Sequence, residues 1–365
     1  MKKLNKTALR ALAGLIFLAI GGGLLLASRV ISGYADHYAA SVYTFLVNTV
    51  GRFMGLFPFS VAEVCIYVLI CLLAAGTVRT AVRMVRTRSI LQPLFSWCSW
   101  ILLAAGTGLF LYAAGGGINY RRTGFADTEG IETGQYSAQE LADVCAWLTE
   151  NVNLYQSQVE RDDDGLMVPG DAADMKAGAI EAMQLLSETY TSLEGYYPQP
   201  KEVFASGVLS SAGITGVYSF FTIEANYNGD MTGYNIPFTM CHELSHLRGF
   251  MEEKEANFIA FLACIGSDDA DFCYSGYLSG WIYCMNDLLK ADTESWRALR
   301  EELADEVYAD LQANTEYWNS HEGTVSDVQD TLNDTYLKAN GQSDGILSYQ
   351  RVVDLIIAYY KEYVE

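Results

Sequence analysis

Three long apolar runs before residue 120 constrain this chain more than any other feature: Ala11–Ile31, interrupted only by Ser28 and Arg29, then Leu56–Val78, then Leu94–Ile118. Each is long enough to cross a bilayer, whose hydrocarbon core is spanned by about 20 residues of helix. Lipid offers no water to the backbone, so a crossing segment must satisfy its own peptide groups, and a helix does so. The chain is therefore expected to divide into a membrane region over residues 1–122, with three transmembrane helices, and a domain over residues 123–365. The basic start (Lys2, Lys3, Lys6 and Arg10) with an apolar stretch ending at Ala27-Ser28 also fits a cleaved signal peptide. Apolar character resumes beyond that point, which favours an anchor.

Arg79, Arg83, Arg86 and Arg88 are read as a basic loop between the second and third runs. Basic residues are retained in the cytoplasm, so the N-terminus and the 79–93 loop are assigned there, and three crossings leave 123–365 extracytoplasmic. Arg121 and Arg122 argue weakly the other way and are outnumbered. Glu63 lies inside the second run, and an intramembrane carboxylate is a functional candidate by default. Its place near Leu56 and Pro58 favours an interfacial position with the side chain reaching water.

Charge divides at the same boundary. Residues 1–122 hold 12 Lys/Arg and 2 Asp/Glu, whereas residues 123–365 hold 11 Lys/Arg and 42 Asp/Glu. A domain with 31 surplus negative charges repels phosphate backbones, so nucleic acid is excluded as a partner. The bilayer itself is the first partner implied. Five cysteines lie in the domain (Cys145, Cys241, Cys264, Cys273 and Cys284), with no Cys-x-x-Cys pair, so they are expected to be small buried residues.

The domain reads as α+β, mainly α. Ser137 with Glu140 forms a capping box for a helix in which Leu141, Val144, Cys145, Leu148, Val152 and Tyr155 share a face. Arg161–Gly165 is a turn without the closing Glu of a calcium loop. A helix over about 172–190 follows. Glu202–Leu209 and Ile214–Tyr227 are the β-rich segments, expected as two strands joined around Ser210–Gly213 in a small hairpin or sheet. A free strand edge there would accept an extended peptide, although an ordinary packed hairpin fits equally. Further helices are expected near 236–248, 252–266, 269–289, 293–318, 324–339 and 346–362, with stops at Gly249, Gly323 and Asn340-Gly341. The last is too short and too charged at its ends for a fourth span.

The chemistry lies in His242-Glu243-Leu244-Ser245-His246, which takes two of the chain's four histidines. Residues four apart share a helix face, so both imidazoles can meet one metal ion with Glu243 beside them. Zinc suits imidazole, and a site with three protein ligands keeps a position open for water. Glu243 is the general base for that water. The third ligand is sought just past Gly249. Glu253 forms an i, i+4 pair with Asn257, so a ligand carboxylate and an orienting amide would share a face. Glu255 and a more distant residue remain open, while Glu252 suits the helix dipole.

His-Glu-x-x-His followed by Glu-x-x-Ala-Asn resembles the gluzincin metallopeptidases, among them membrane-embedded ones related to the CAAX-processing and HtpX-type proteases. Gly216–Asn226, Pro237–Phe250 and Glu253–Phe261 together resemble a bacterial membrane protein family of unknown function with three N-terminal spans, over nearly the whole chain. The resemblance implies a zincin-like domain, zinc as cofactor, His242, His246 and Glu253 as ligands, and Glu243 as the catalytic acid/base. This chain departs in its gap of seven from His246 to Glu253 and in having Asn257 where Asp is commoner. His321 or one of the domain's tyrosines is considered as donor to an oxyanion, and His37 is read as surface. The expected activity is peptide-bond hydrolysis on a peptide or protein substrate. A non-catalytic anchored binding protein with a residual zinc site, and a zinc hydrolase of envelope amides, are the alternatives.

Overall fold

The computed structural model describes residues 5–342 and 351–364. The chain is mainly helical with a small sheet, and it folds as two compact units. The first is Met1–Arg122 with Ser219–Glu224, and the second is Thr123–Tyr218 with Ala225–Glu365.

Three helices of the first unit are long and apolar enough to cross a membrane: α1 (Lys6–Val30), α2 (Val61–Thr87) and α3 (Leu91–Tyr112, continuing to Gly117). The protein is therefore membrane-associated. Lys2 and Lys3 lie outside the described residues. α1 and α3 touch backbone to backbone. A Cβ on Gly14 would lie 2.7 Å from the Leu102 carbonyl oxygen, and one on Gly106 would lie 2.3 Å from the Gly14 oxygen, so only glycine fits. Arg10 caps this contact by donating to Ser99 at 3.2 Å and Ser96 at 3.0 Å.

Two expectations are corrected here. Arg79, Arg83 and Arg86 stand on the last turns of α2, which runs to Thr87, and only residues 88–90, with Arg88 at φ 49°, separate it from α3. Charge ends an apolar run, but arginine is a good helix former and the ladder continues through it. Glu63 does not reach outward. It is buried in the first turn of α2, where its carboxylate accepts from the Tyr67 hydroxyl and its N–H donates to Ser60 at 3.1 Å. The stretch between α1 and α2 is also helical over much of Tyr34–Met54, including two π-type stretches, Ala39–Tyr43 and Val47–Gly51. Ser219–Glu224 closes on these helices: Phe220 meets Tyr112 edge to face at 5.0 Å, and Glu224 accepts from the N–H groups of Val61 and Ala62 at 3.2 and 2.8 Å. Those are orphan donors at a helix start, where a carboxylate also suits the dipole.

The second unit opens with a short helix at Phe125–Glu129, followed by α4 (Ala138–Gln156), which carries both halves of the expected capping box, and α5 (Ala172–Thr189). Then come α6 (Asn235–Leu247), α7 (Glu253–Ile265), α8 (Ala270–Ala291), α9 (Thr293–Glu301), α10 (Asp305–His321), α11 (Thr324–Ala339) and α12 (Val352–Tyr363). The start of the helix expected over 346–362 lies outside the described residues. α7 is buried on nearly every side, from Ala256 to Cys264, and forms the centre of the core. Trp281 on α8 donates to Thr149 on α4 at 3.0 Å. The helix expected over 293–318 is two helices. At the break, Asn153 of α4 donates to the Glu302 carbonyl at 2.8 Å and accepts from the Ala304 N–H at 2.9 Å.

The sheet has the order β1-β3-β2, with β1 at Lys201–Glu202, β2 at Gly216–Ser219 and β3 at Glu224–Tyr227. β1 pairs parallel to β3, Lys201 opposite Asn226. Only residues 220–223 join β2 to β3, too few for anything but an antiparallel return. The strand expected over Glu202–Leu209 stops after two residues, and Ser206–Ser211 is helical. Ser206 donates to the Val203 carbonyl at 2.6 Å and Ser210 to the Ser206 carbonyl at 3.0 Å. Serine hydroxyls bonding back to the chain in this way compete with a strand ladder.

Candidate metal centre

α6 is held at both ends. The Asn235 amide donates to Asn314 at 2.8 Å, and the Phe238 N–H, an orphan of the first turn, donates to the Ser275 hydroxyl at 3.0 Å. At the far end Gly249 takes φ 90°, its N–H donating to the His246 carbonyl at 2.8 Å, while the Phe250 N–H donates to the Ser245 carbonyl at 3.3 Å. Glycine is the residue that adopts this left-handed stop without strain. The chain turns and α7 begins at Glu253.

That turn brings three side chains together. Glu253 Oε2 lies 3.3 Å from His242 Nε2 and 3.6 Å from His246 Nε2. The three ligand atoms all lie within 4.8 Å of one another, and the imidazole planes stand at 87° with centroids 4.7 Å apart. Metal–ligand bonds of about 2.1 Å at tetrahedral angles put ligand atoms roughly 3.4 Å apart, so both measured gaps suit zinc. His246 Nδ1 is 2.8 Å from the Phe250 carbonyl oxygen. A carbonyl only accepts, so Nδ1 keeps its proton, and Nε2 is the nitrogen that offers a lone pair once deprotonated. Apart from the two imidazoles, the buried Glu253 Oε2 has no hydrogen-bond partner among the described residues. Burial alone would raise Glu253, yet the two imidazoles hold it well below the usual carboxylate range. Burial likewise pulls His246 down, and the Glu253 carboxylate outweighs it, lifting the pKa to about 9. The cluster thus attracts positive charge, as a cation site does.

Glu243 lies beside the cluster, buried, and its Oε2 has no hydrogen-bond partner among the described residues. Burial pushes its carboxyl up to about 7 against the pull of the two histidines. β2 lies directly against it: a Cβ on Gly216 would fall 2.6 Å from Glu243 Oε1 and 2.8 Å from Thr239 Cγ2.

A family model described as "Protein of unknown function (DUF3810)" matches residues 38–357. The chain belongs to this family. Neither the curated proteins nor the solved structures hold a match to it. The family match takes in every residue of the His–Glu cluster and Glu243.

The other candidates fall elsewhere. Glu255 turns away from the histidines and accepts from the Phe125 N–H at 2.7 Å. Asn257 is buried, but its amide nitrogen donates to nothing among the described residues, so the expected bond to a ligand is not made. His321 serves its own helix, with Nδ1 2.8 Å from the Tyr317 carbonyl oxygen, and His37 is exposed. Three neighbours of the centre had no signal at the level of motif. Phe250 orients His246 through its carbonyl. Gln342 accepts from the Glu253 N–H at 3.4 Å, and its own buried amide nitrogen has no partner among the described residues. Tyr283 on α8 has its hydroxyl raised by burial and, next, by the Glu253 charge.

Proposed function

We propose that the chain is a membrane-anchored, zinc-dependent metallopeptidase whose domain stands outside the cytoplasm. The observation that carries this reading is the convergence of His242 Nε2, His246 Nε2 and Glu253 Oε2 beside the buried Glu243, whose Oε2 has no hydrogen-bond partner among the described residues. The gluzincin likeness of the motif supports it, as does the donor set of two imidazoles and a carboxylate, which suits zinc. Bound there, zinc would bring the pKa of a coordinated water to about 7 and polarise a peptide carbonyl. Glu243 takes the proton of the attacking water and delivers it to the leaving amine. A peptide substrate adds to β2, the edge of the sheet nearest Glu243. Placement outside rests on the basic first 122 residues and the positive-inside rule.

The test uses the full chain purified in detergent. The wild type is expected to carry about one zinc and His246→Ala close to none, as follows from losing one of three ligands. Glu243→Gln should keep zinc and lose about 10²- to 10⁴-fold in peptide hydrolysis. Zinc absent from the wild type sinks the metal centre. Hydrolysis by Glu243→Gln at the wild-type rate sinks the peptidase and leaves an anchored binding protein.

A further inference from the structure

The segment just after Arg122 is gripped by the elements that carry the metal ligands. Phe125 is fully buried. Its ring meets Phe250 edge to face at 5.5 Å and Tyr190 at 5.3 Å, and lies tilted on Phe258 of α7 at 6.2 Å. Its N–H donates to Glu255 Oε2 at 2.7 Å. Gly124 approaches so closely that a Cβ there would fall 2.2 Å from Glu255 Oε1 and 2.9 Å from its Cδ. Gly124-Phe125 therefore touches both sides of Glu253 in sequence: Phe250, whose carbonyl fixes His246, and Glu255, in the first turn of α7.

We propose that Gly124-Phe125 is a positioning strap for the metal centre, acting on His246 through Phe250 and on Glu253 through Glu255. The inference rests on the metal reading above. A carbonyl in a turn can rotate, because no helix ladder holds it. Here the buried Phe250 ring prevents that, and Phe125 supplies one wall of its pocket. The first turn of a helix lacks intrahelical partners for its N–H groups and frays readily. Glu255, bonded to the strap, resists that fraying two residues beyond the ligand. Ligating groups need placement within about 0.5 Å, which supporting contacts provide. Losing such support typically costs about 10- to 100-fold in metal affinity.

The full chain in detergent is assayed for zinc affinity by competition with a chromophoric chelator, and for coordination geometry by the absorption spectrum of bound Co²⁺. Phe125→Ala and Glu255→Ala should each weaken zinc about 10- to 100-fold and change the cobalt spectrum. Glu255→Gln keeps an acceptor oxygen for the Phe125 N–H and should recover most of the affinity. Phe272→Ala, which removes a fully buried ring packed on Gly178, should lower the melting temperature and leave both metal readouts unchanged. The strap is overturned if Phe125→Ala and Glu255→Ala bind zinc as the wild type does, or if Phe272→Ala weakens it equally. Should Phe125→Ala fail to fold, the Glu255→Ala and Glu255→Gln pair decides alone. A wild type that binds no zinc removes the metal reading and the strap with it, whereas normal wild-type binding with unaffected variants removes only the strap.

Discussion

At the scale of single residues, the centre depends on which nitrogen of His246 is free. Nδ1 is committed to Phe250 at 2.8 Å, and Nε2 faces Glu253 at 3.6 Å. Without a cation, Glu253 raises His246 to a pKa of about 9, so at neutral pH a proton holds the place of the metal. Cation binding must expel that proton. The sign follows: below about 9 protons compete, so zinc affinity should rise with pH by up to about tenfold per unit and level off above it. Chelator competition at a series of pH values checks this, and an affinity flat from neutral pH to about 9 would refute it. His242, Glu243 and His246 are legible in sequence because helix geometry fixes the spacing of residues four apart. Glu253 was legible only as one of several acids past Gly249, since a turn does not determine which side chain of the next helix swings inward. Gln342 was not legible at all. It reaches Glu253 from 89 residues away, and no local pattern encodes such an encounter.

At the scale of elements, amphipathic helices with caps could be read directly, and the short strands could not. Ser137 and Glu140 announce α4, whereas Val203 and Val208 suggest a strand that Ser206 and Ser210 turn into helix. The break between α9 and α10 has no glycine or proline to mark it, because the device that holds it is Asn153 on another helix. β2 shows how little sequence separates a structural strand from a functional one. Its Gly216 is required by neither a turn nor a positive φ, only by contact with Glu243. Gly216→Ala must therefore displace the Glu243 carboxylate or the strand, an overpacking that costs about 1–3 kcal/mol. The expected result is normal zinc content with kcat for peptide hydrolysis lowered about tenfold or more, the rate equivalent of at least 1.4 kcal/mol. Metal analysis beside steady-state kinetics measures both. A Gly216→Ala protein with wild-type kcat would mean that β2 does not bear on the general base.

At the scale of the whole molecule, the division at Arg122 is blurred by one excursion. Ser219–Glu224, between β2 and β3, belongs with the apolar helices rather than with the strands it joins. Within the first unit, Phe220 lies on Tyr112, and Glu224 satisfies the N–H groups of Val61 and Ala62. The excursion was hidden in sequence because Phe220, Phe221 and Ile223 read as ordinary strand residues. It makes the acidic domain a poor candidate for simple excision. Residues 123–365 alone would leave Phe220 and Glu224 without these partners, and uncovering the half-buried Phe220 ring forfeits part of the roughly 1.5–3 kcal/mol that full burial provides. The excised domain should therefore be less stable than the full chain and prone to aggregate. Replacing 219–224 by an Asn-Gly turn, which suits a two-residue hairpin, should restore solubility and keep zinc binding. Size-exclusion chromatography and thermal melts of the two excised proteins decide the matter. If the unmodified excised domain is monomeric and melts no lower than its Asn-Gly counterpart, leaving Phe220 and Glu224 without their partners costs the excised domain nothing and the prediction fails.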